Sequence, residues 1–257
     1  MSCVIVSPKE RCSTLVRRRL VLTCEHGGNR IPARYLPLFV GRDRLLHSHR
    51  GYDRGALWLA RWLARALRAP LYAAANSRLL IDLNRSLHNP RVCSDQTRRL
   101  SHSERDNIVA RYYSPHRDRI EQHIGKLTTR DVPVLHIAVH SFTPRLGGLT
   151  RNADVGLLYD PRRPSERDFC IGWQVALKAA APHLCVRRNY PYRGSDDGLT
   201  SHLRCRFPRR LYLGVELEIN QRHVTDSNAV GYGIPEALIN TLKTGGRLIA
   251  SRSLGDQ

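Results

Sequence analysis

No apolar run in this 257-residue chain approaches the ~20 residues needed to span a bilayer, so no membrane partner is expected. The first 19 residues carry Lys9, Arg11, Arg17, Arg18 and Arg19 but no apolar stretch of signal-peptide type. Residues 1–19 therefore read as a loosely ordered leader, and the cytoplasm is the expected location. Lysine is scarce, occurring only at Lys9, Lys126, Lys178 and Lys243, although the formal net charge is +20. The positive charge is thus almost all arginine, and it is spread along the chain rather than gathered in a block. Aromatic residues make up 7%, which argues against a stacking platform for single strands. Nucleic acid is expected to bind only through non-specific charge, whereas small anions should be attracted in a salt-dependent manner. The seven cysteines (Cys3, Cys12, Cys24, Cys93, Cys170, Cys185 and Cys205) include no C-x-x-C pair, which excludes a zinc ribbon and suggests no disulfide framework.

What is present is a globular composition, 41% hydrophobic and 25% charged, with no repeat or low-complexity linker. Residues 20–257 read as one domain. Strands are expected at 20–25, 71–75, 78–83, 133–139, 155–159, 184–188 and 211–219. A helix is expected from Asp53 to Leu67, with Ala56, Leu59, Ala60, Leu63 and Leu67 on one face, ended by Pro70. Ser101 or Ser103 should cap a long helix running towards Lys126, which Pro115 should interrupt or kink. Further helices are expected over 165–180 and from about Pro235. Strands alternating with helices predict an α/β sandwich with a largely parallel sheet.

Two strands end in histidine. Leu20-Val21-Leu22-Thr23-Cys24-Glu25-His26-Gly27-Gly28-Asn29 delivers His26 to a glycine turn, and Val134 to Phe142 carries His140. If the strands are near neighbours, both imidazoles meet at the carboxyl edge, where open α/β sheets bind ligands. A metal site there also needs a carboxylate. Asp53 is the best candidate, its alternative role being a helix N-cap. Glu216 and Glu218 lie two apart on an apolar strand and share a face, so one of them can serve as a general base unless the strand is an exposed edge. In Ser77-Arg78-Leu79-Leu80-Ile81-Asp82-Leu83-Asn84-Arg85, two arginines and an amide would clamp a carboxylate. An Asx turn with a surface arginine is the plainer reading.

Together these segments resemble the N-formylglutamate amidohydrolase family. The resemblance rests on Cys24 to Pro32, His49 to Gly55, Ser77 to Arg85, His140-Ser141-Phe142-Thr143-Pro144, Val155 to Tyr159, Asn189 to Asp196 and Val215 to Gln221. It covers roughly residues 20–225. It implies a three-layer α/β/α sandwich of zinc-carboxypeptidase type and metal-assisted hydrolysis of a small anionic N-acyl, notably N-formyl, acidic amino acid. It further implies one zinc per chain on His26, Asp53 and His140, with Glu218 as base and Arg78 stabilising the oxyanion. Asp82, Asn84 and Arg85 match the Asp-Leu-Asn-Arg substrate motif of the related aspartoacylases. Asn84 and Arg85 would hold the α-carboxylate, and Arg193 would meet a side-chain carboxylate. Two departures stand out. Gly27-Gly28 replaces a frequent Ala-Ser, and Asn29 stands where carboxypeptidases place the glutamate of their His-x-x-Glu pair. The third ligand is therefore Asp53, with Glu25 as the alternative, although alternation points Glu25 away from His26. Two other classes stay open at this stage. One is a basic nucleic-acid-binding protein with structural histidines. The other is a metal-free cysteine amidase using Cys24 beside His26.

Overall fold

The computed structural model describes residues 18–223 and 233–248. The expected leader lies outside these residues up to position 17. Six strands form one sheet: β1 (Arg19–Cys24), β2 (Leu71–Ala73), β3 (Val134–Phe142), β6 (Val155–Leu158), β7 (Val186–Arg188) and β8 (Tyr212–Asn220). A two-stranded hairpin, β4 (Arg145–Leu146) and β5 (Leu149–Thr150), projects beyond β3. The sheet order is β2-β1-β3-β8-β6-β7. The first four strands are parallel, and β6 pairs antiparallel with β8, so the sheet is mixed. β3 and β8 are buried along their whole length, which is why both read as nearly continuous apolar runs.

Side-chain alternation divides the sheet into two unlike faces. Leu22, Cys24, Ile137, Val139, Val215 and Leu217 point to one face. There they meet α2 (Ala56–Leu67), α5 (Pro164–Ala180) and α7 (Ile234–Leu248). On the other face, Val21, Val134 and Tyr212 pack against Ile120 and Ile124 of α4 (Ser114–Thr128) and Leu199 and Leu203 of α6 (Leu199–Arg206). The result is the expected three-layer α/β/α sandwich. No helix among the described residues is long and apolar enough to cross a membrane.

Three local expectations change. The helix expected from Asp53 starts at Ala56, because Gly55 adopts a left-handed conformation and breaks the path. Asp53 is thereby left in the preceding loop and is not an N-cap. The run 78–83 is not a strand. Leu79, Leu80, Ile81 and Leu83 are buried in turns, within or beside a small second core with Tyr35, Ile108 and Tyr113. The helix capped by Ser101, whose hydroxyl accepts from the Glu104 amide, is not broken at Pro115. Residues 109–113 wind as a π-turn between α3 (His102–Ile108) and α4, which places Pro115 in a first turn, where its missing N–H costs nothing. A short helix, α1 (Asp43–Leu46), leads into the Asp53 loop.

Candidate metal centre

On the face that carries α4 and α6, the sheet turns from apolar to polar along the strands. His136 is fully buried between the hydroxyls of Thr23 and Tyr212 at 2.9 and 2.7 Å. Two steps further on along that face, His140 pairs in register with Glu218. Thr23 pairs with Ala138, so Glu25 comes alongside His140 from the other flank. A glutamate, a histidine and a glutamate thus stand side by side on three neighbouring strands, all buried.

His26 leaves β1 just beyond Cys24. Its turn lies against the chain after β2: a Cβ on Gly28 would stand 2.2 Å from the Ala75 carbonyl oxygen. The glycine predicted to allow a close approach therefore serves backbone packing. The Asp53 amide donates to the His26 carbonyl at 2.9 Å, which brings the α2 loop over the strand ends. Asp53 Oδ2 then lies 3.3 Å from His26 Nδ1 and 2.9 Å from His140 Nδ1. Ligand atoms of the three residues fall within 4.8 Å of one another. The opposite nitrogens face other carboxylates. His26 Nε2 is 2.7 Å from Asp82 Oδ1, and His140 Nε2 is 3.2 Å from Glu25 Oε2. Each imidazole thus turns Nδ1 towards a common point while its Nε2 faces an acid. The His26–Asp82 hydrogen bond is of the kind that fixes a histidine ligand, whereas His140 and Glu25 meet as an ion-pair contact without hydrogen-bond geometry. Two imidazole nitrogens and a carboxylate oxygen form a donor set suited to a divalent cation. Glu218 Oε2, buried beside this point, has no hydrogen-bond partner among the described residues.

The electrostatics follow from burial and pairing. Burial and Arg78 press the His26 pKa down, but Asp82 and Asp53 outweigh them and raise it. Burial likewise opposes protonation of His140, and Asp53 and Glu25 bring its pKa well above the usual value. Glu25 resists its own burial through His140 and falls to about 2. Glu218 behaves differently. Burial, reinforced by the charges of Asp53 and Glu216, pushes its carboxyl up to about 8.

The remaining predicted residues divide. Arg78 donates through Nε and Nη2 to Asp82 Oδ2 and through Nη1 to Asp53 Oδ1, so it is bound into the cluster. Asp82, expected to face substrate, instead joins Arg78 to His26 and is a positioning residue. Asn84 Oδ1 accepts from the Leu199 amide at 2.7 Å and caps α6. Its remaining amide group lies near Gly198, beside Glu216. Arg85 is half-buried and donates through Nη1 to the Asp197 carbonyl at 3.2 Å, which leaves part of its fork uncommitted. Arg193 is exposed and makes no side-chain hydrogen bond among the described residues. Glu216 accepts from the Thr200 hydroxyl at 2.7 Å, which leaves Glu218 as the uncommitted acid of the pair. Cys24 points into the core on the opposite face, and burial drives its thiol pKa well up, so the cysteine-amidase alternative fails. A 660 Å³ groove between α5 and β7, lined by Lys178 and Arg187 among others, includes none of these residues. Sequence reasoning missed Arg151 and Tyr192 at the mouth of the site. Tyr192 lay within a recognised segment, whereas Arg151 sits in a polar stretch with no periodic signal.

The family profile for N-formylglutamate amidohydrolase matches residues 18–225. No curated protein matches the chain. Among solved structures, a gene product of Agrobacterium tumefaciens is 28% identical with a TM-score of 0.75, covering 90% of this chain and 91% of that one. The N-formylglutamate amidohydrolase of Ralstonia eutropha JMP134 is 19% identical with a TM-score of 0.60, covering 91% and 93%. At that identity the second likeness speaks for the fold.

Proposed function

The chain belongs to the N-formylglutamate amidohydrolase family, and on that premise we propose that it cleaves the N-acyl, notably N-formyl, group from an acidic amino acid with the help of one zinc ion. The observation that carries this reading is the convergence of His26 Nδ1, His140 Nδ1 and Asp53 Oδ2 beside the unpartnered Glu218. Those three residues would hold a divalent cation, and the chemistry it would supply there is Lewis acidity towards water and the acyl carbonyl. Glu218 takes the proton of the attacking water and returns it to the departing amine. A carboxyl whose pKa lies near neutrality in the metal-free protein can do both. Arg78 holds Asp53 and Asp82 in place, and its remaining N–H groups can face the developing oxyanion. The free amide group of Asn84 and the uncommitted part of the Arg85 fork can receive the α-carboxylate.

Metal analysis of the purified protein tests the centre. About one zinc ion per chain is expected. His26→Ala and His140→Ala should each lose most of it while keeping the wild-type circular dichroism spectrum. Full occupancy in both variants would sink the assignment. Binding should also depend on pH, because both histidines must release a proton to act as ligands. Their folded pKa values are raised, so the protonated, non-binding forms persist above the ordinary imidazole range. Apparent zinc affinity should therefore keep climbing with pH above the range in which unperturbed imidazoles lose their protons. A plateau reached within the ordinary imidazole range, as unperturbed histidines would give, would contradict the proposed ligands.

A further inference from the structure

The pair Phe142–Asn220 follows His140–Glu218 along β3 and β8, two residues on, or about 7 Å towards the open end of the site. Arg151 stands over that next step. The Asn220 side-chain amide donates to the Arg151 carbonyl at 3.0 Å, which fixes its backbone against the end of β8. Its guanidinium lies 5.9 Å from the centre of the Phe142 ring and 5.1 Å from that of Tyr192. Nη1 donates to the Tyr192 hydroxyl at 3.2 Å. Two rings thus orient a planar fork at the rim, yet none of the described residues offers it a carboxylate. The neighbourhood reaches the centre itself. Burial raises the Tyr192 pKa, and the charges of Glu218 and Asp53 add to it. His49, also at the rim, is pressed down by burial, Arg50, Arg151 and Arg78. Arg193 shows no such placement: it is exposed and unpartnered among the described residues.

We propose that Arg151, held between Phe142 and Tyr192, receives the side-chain carboxylate of the acidic N-acyl amino acid and so sets the preference for acidic over neutral substrates. This rests on the reading above, in which an N-acyl carbonyl is cleaved at the His26–Asp53–His140 centre. The advance of about 7 Å along the strands from His140–Glu218 to Phe142–Asn220 suits a short side chain ending in an acid. A guanidinium already oriented by two rings loses little freedom on accepting a bidentate partner.

The test uses the full-length zinc-loaded protein with two pairs of compounds. The first pair is N-formyl-L-glutamate and N-formyl-L-glutamine, measured as kcat/KM. The second is glutamate and glutamine, measured as binding by calorimetry. The wild type should favour the acid of each pair by about tenfold or more. Arg151→Gln should remove most of that preference. Arg151→Lys, which keeps the charge and stem but not the fork, should fall between, and it serves as the variant if the glutamine form does not fold. The proposal is overturned by a wild type without preference, by an unchanged ratio in both variants, or by equal losses on acid and amide. If the wild type hydrolyses neither formyl compound, yet binds glutamate over glutamine through Arg151, the amidohydrolase reading fails while the carboxylate seat stands.

Discussion

Glu218→Gln is expected to retain zinc and substrate binding while kcat falls by roughly 10²–10⁴-fold, the usual share of a general base. The substitution is nearly isosteric and removes only the proton-transfer capacity. Glu216→Gln should be much milder, because Glu216 already accepts from Thr200 and acts through α6. Steady-state kinetics with metal content measured in parallel separates the two, and the reverse ranking would mean that the base is misassigned. A second consequence appears in the metal-free protein. Glu218 has a folded pKa of about 8, above its ordinary value of 4.5. Folding therefore favours the protonated form, and the stability linked to this group is lost as pH rises from about 4.5 towards 8. Wild-type Tm should fall across that window, and the Glu218→Gln protein should lose less.

Asp53→Ala is expected to have the largest effect on the metal, lowering zinc affinity by more than about 100-fold, beyond what loss of an outer partner causes. Among the described residues, Asp53 alone faces both Nδ1 atoms and Arg78 together. Removing it leaves Arg78 with Asp82 alone and takes a negative charge from between two imidazoles. Competition with a chelating dye measures the affinity. Asp82→Asn should cost only about 10–100-fold, since it acts through His26. Equal losses for the two aspartates would show that Asp53 is not a direct ligand.

The sheet and most helices were legible because their signals are local. β3 and β8 are nearly continuous apolar runs, and the face of α2 repeats at helical spacing. The cluster is legible for the same reason in part: His26 and His140 close such runs, and Asp53 heads the predicted helix and also matches the family order of motifs. What the sequence hid were contacts between distant turns. The run 78–83 has the composition of a strand, but its apolar side chains fill a second core, and nothing local distinguishes the two outcomes. Asp82 read as a substrate residue because its partner, His26, lies 56 positions away. Alternation points Glu25 away from His26, which makes it only the alternative ligand, but the adjacent strand brings His140 to meet it. Arg151 has no pattern of its own. Its place depends on Asn220, Phe142 and Tyr192, from three separate parts of the chain.

The unlike faces of the sheet have a consequence for how this chain can change over time. One face is a nearly wholly apolar core under α2, α5 and α7, and the other carries the acids and imidazoles near the strand ends. Mutations that erase the chemistry leave the larger core untouched, while mutations in that core leave the reacting groups chemically intact. Foldedness and activity are therefore inherited on separate sides of the same strands. Descendants that keep this architecture after abandoning hydrolysis should be recognisable residue by residue: the polar positions towards the carboxyl ends of β3 and β8 and just beyond β1 drift, while the alternating apolar neighbours stay apolar.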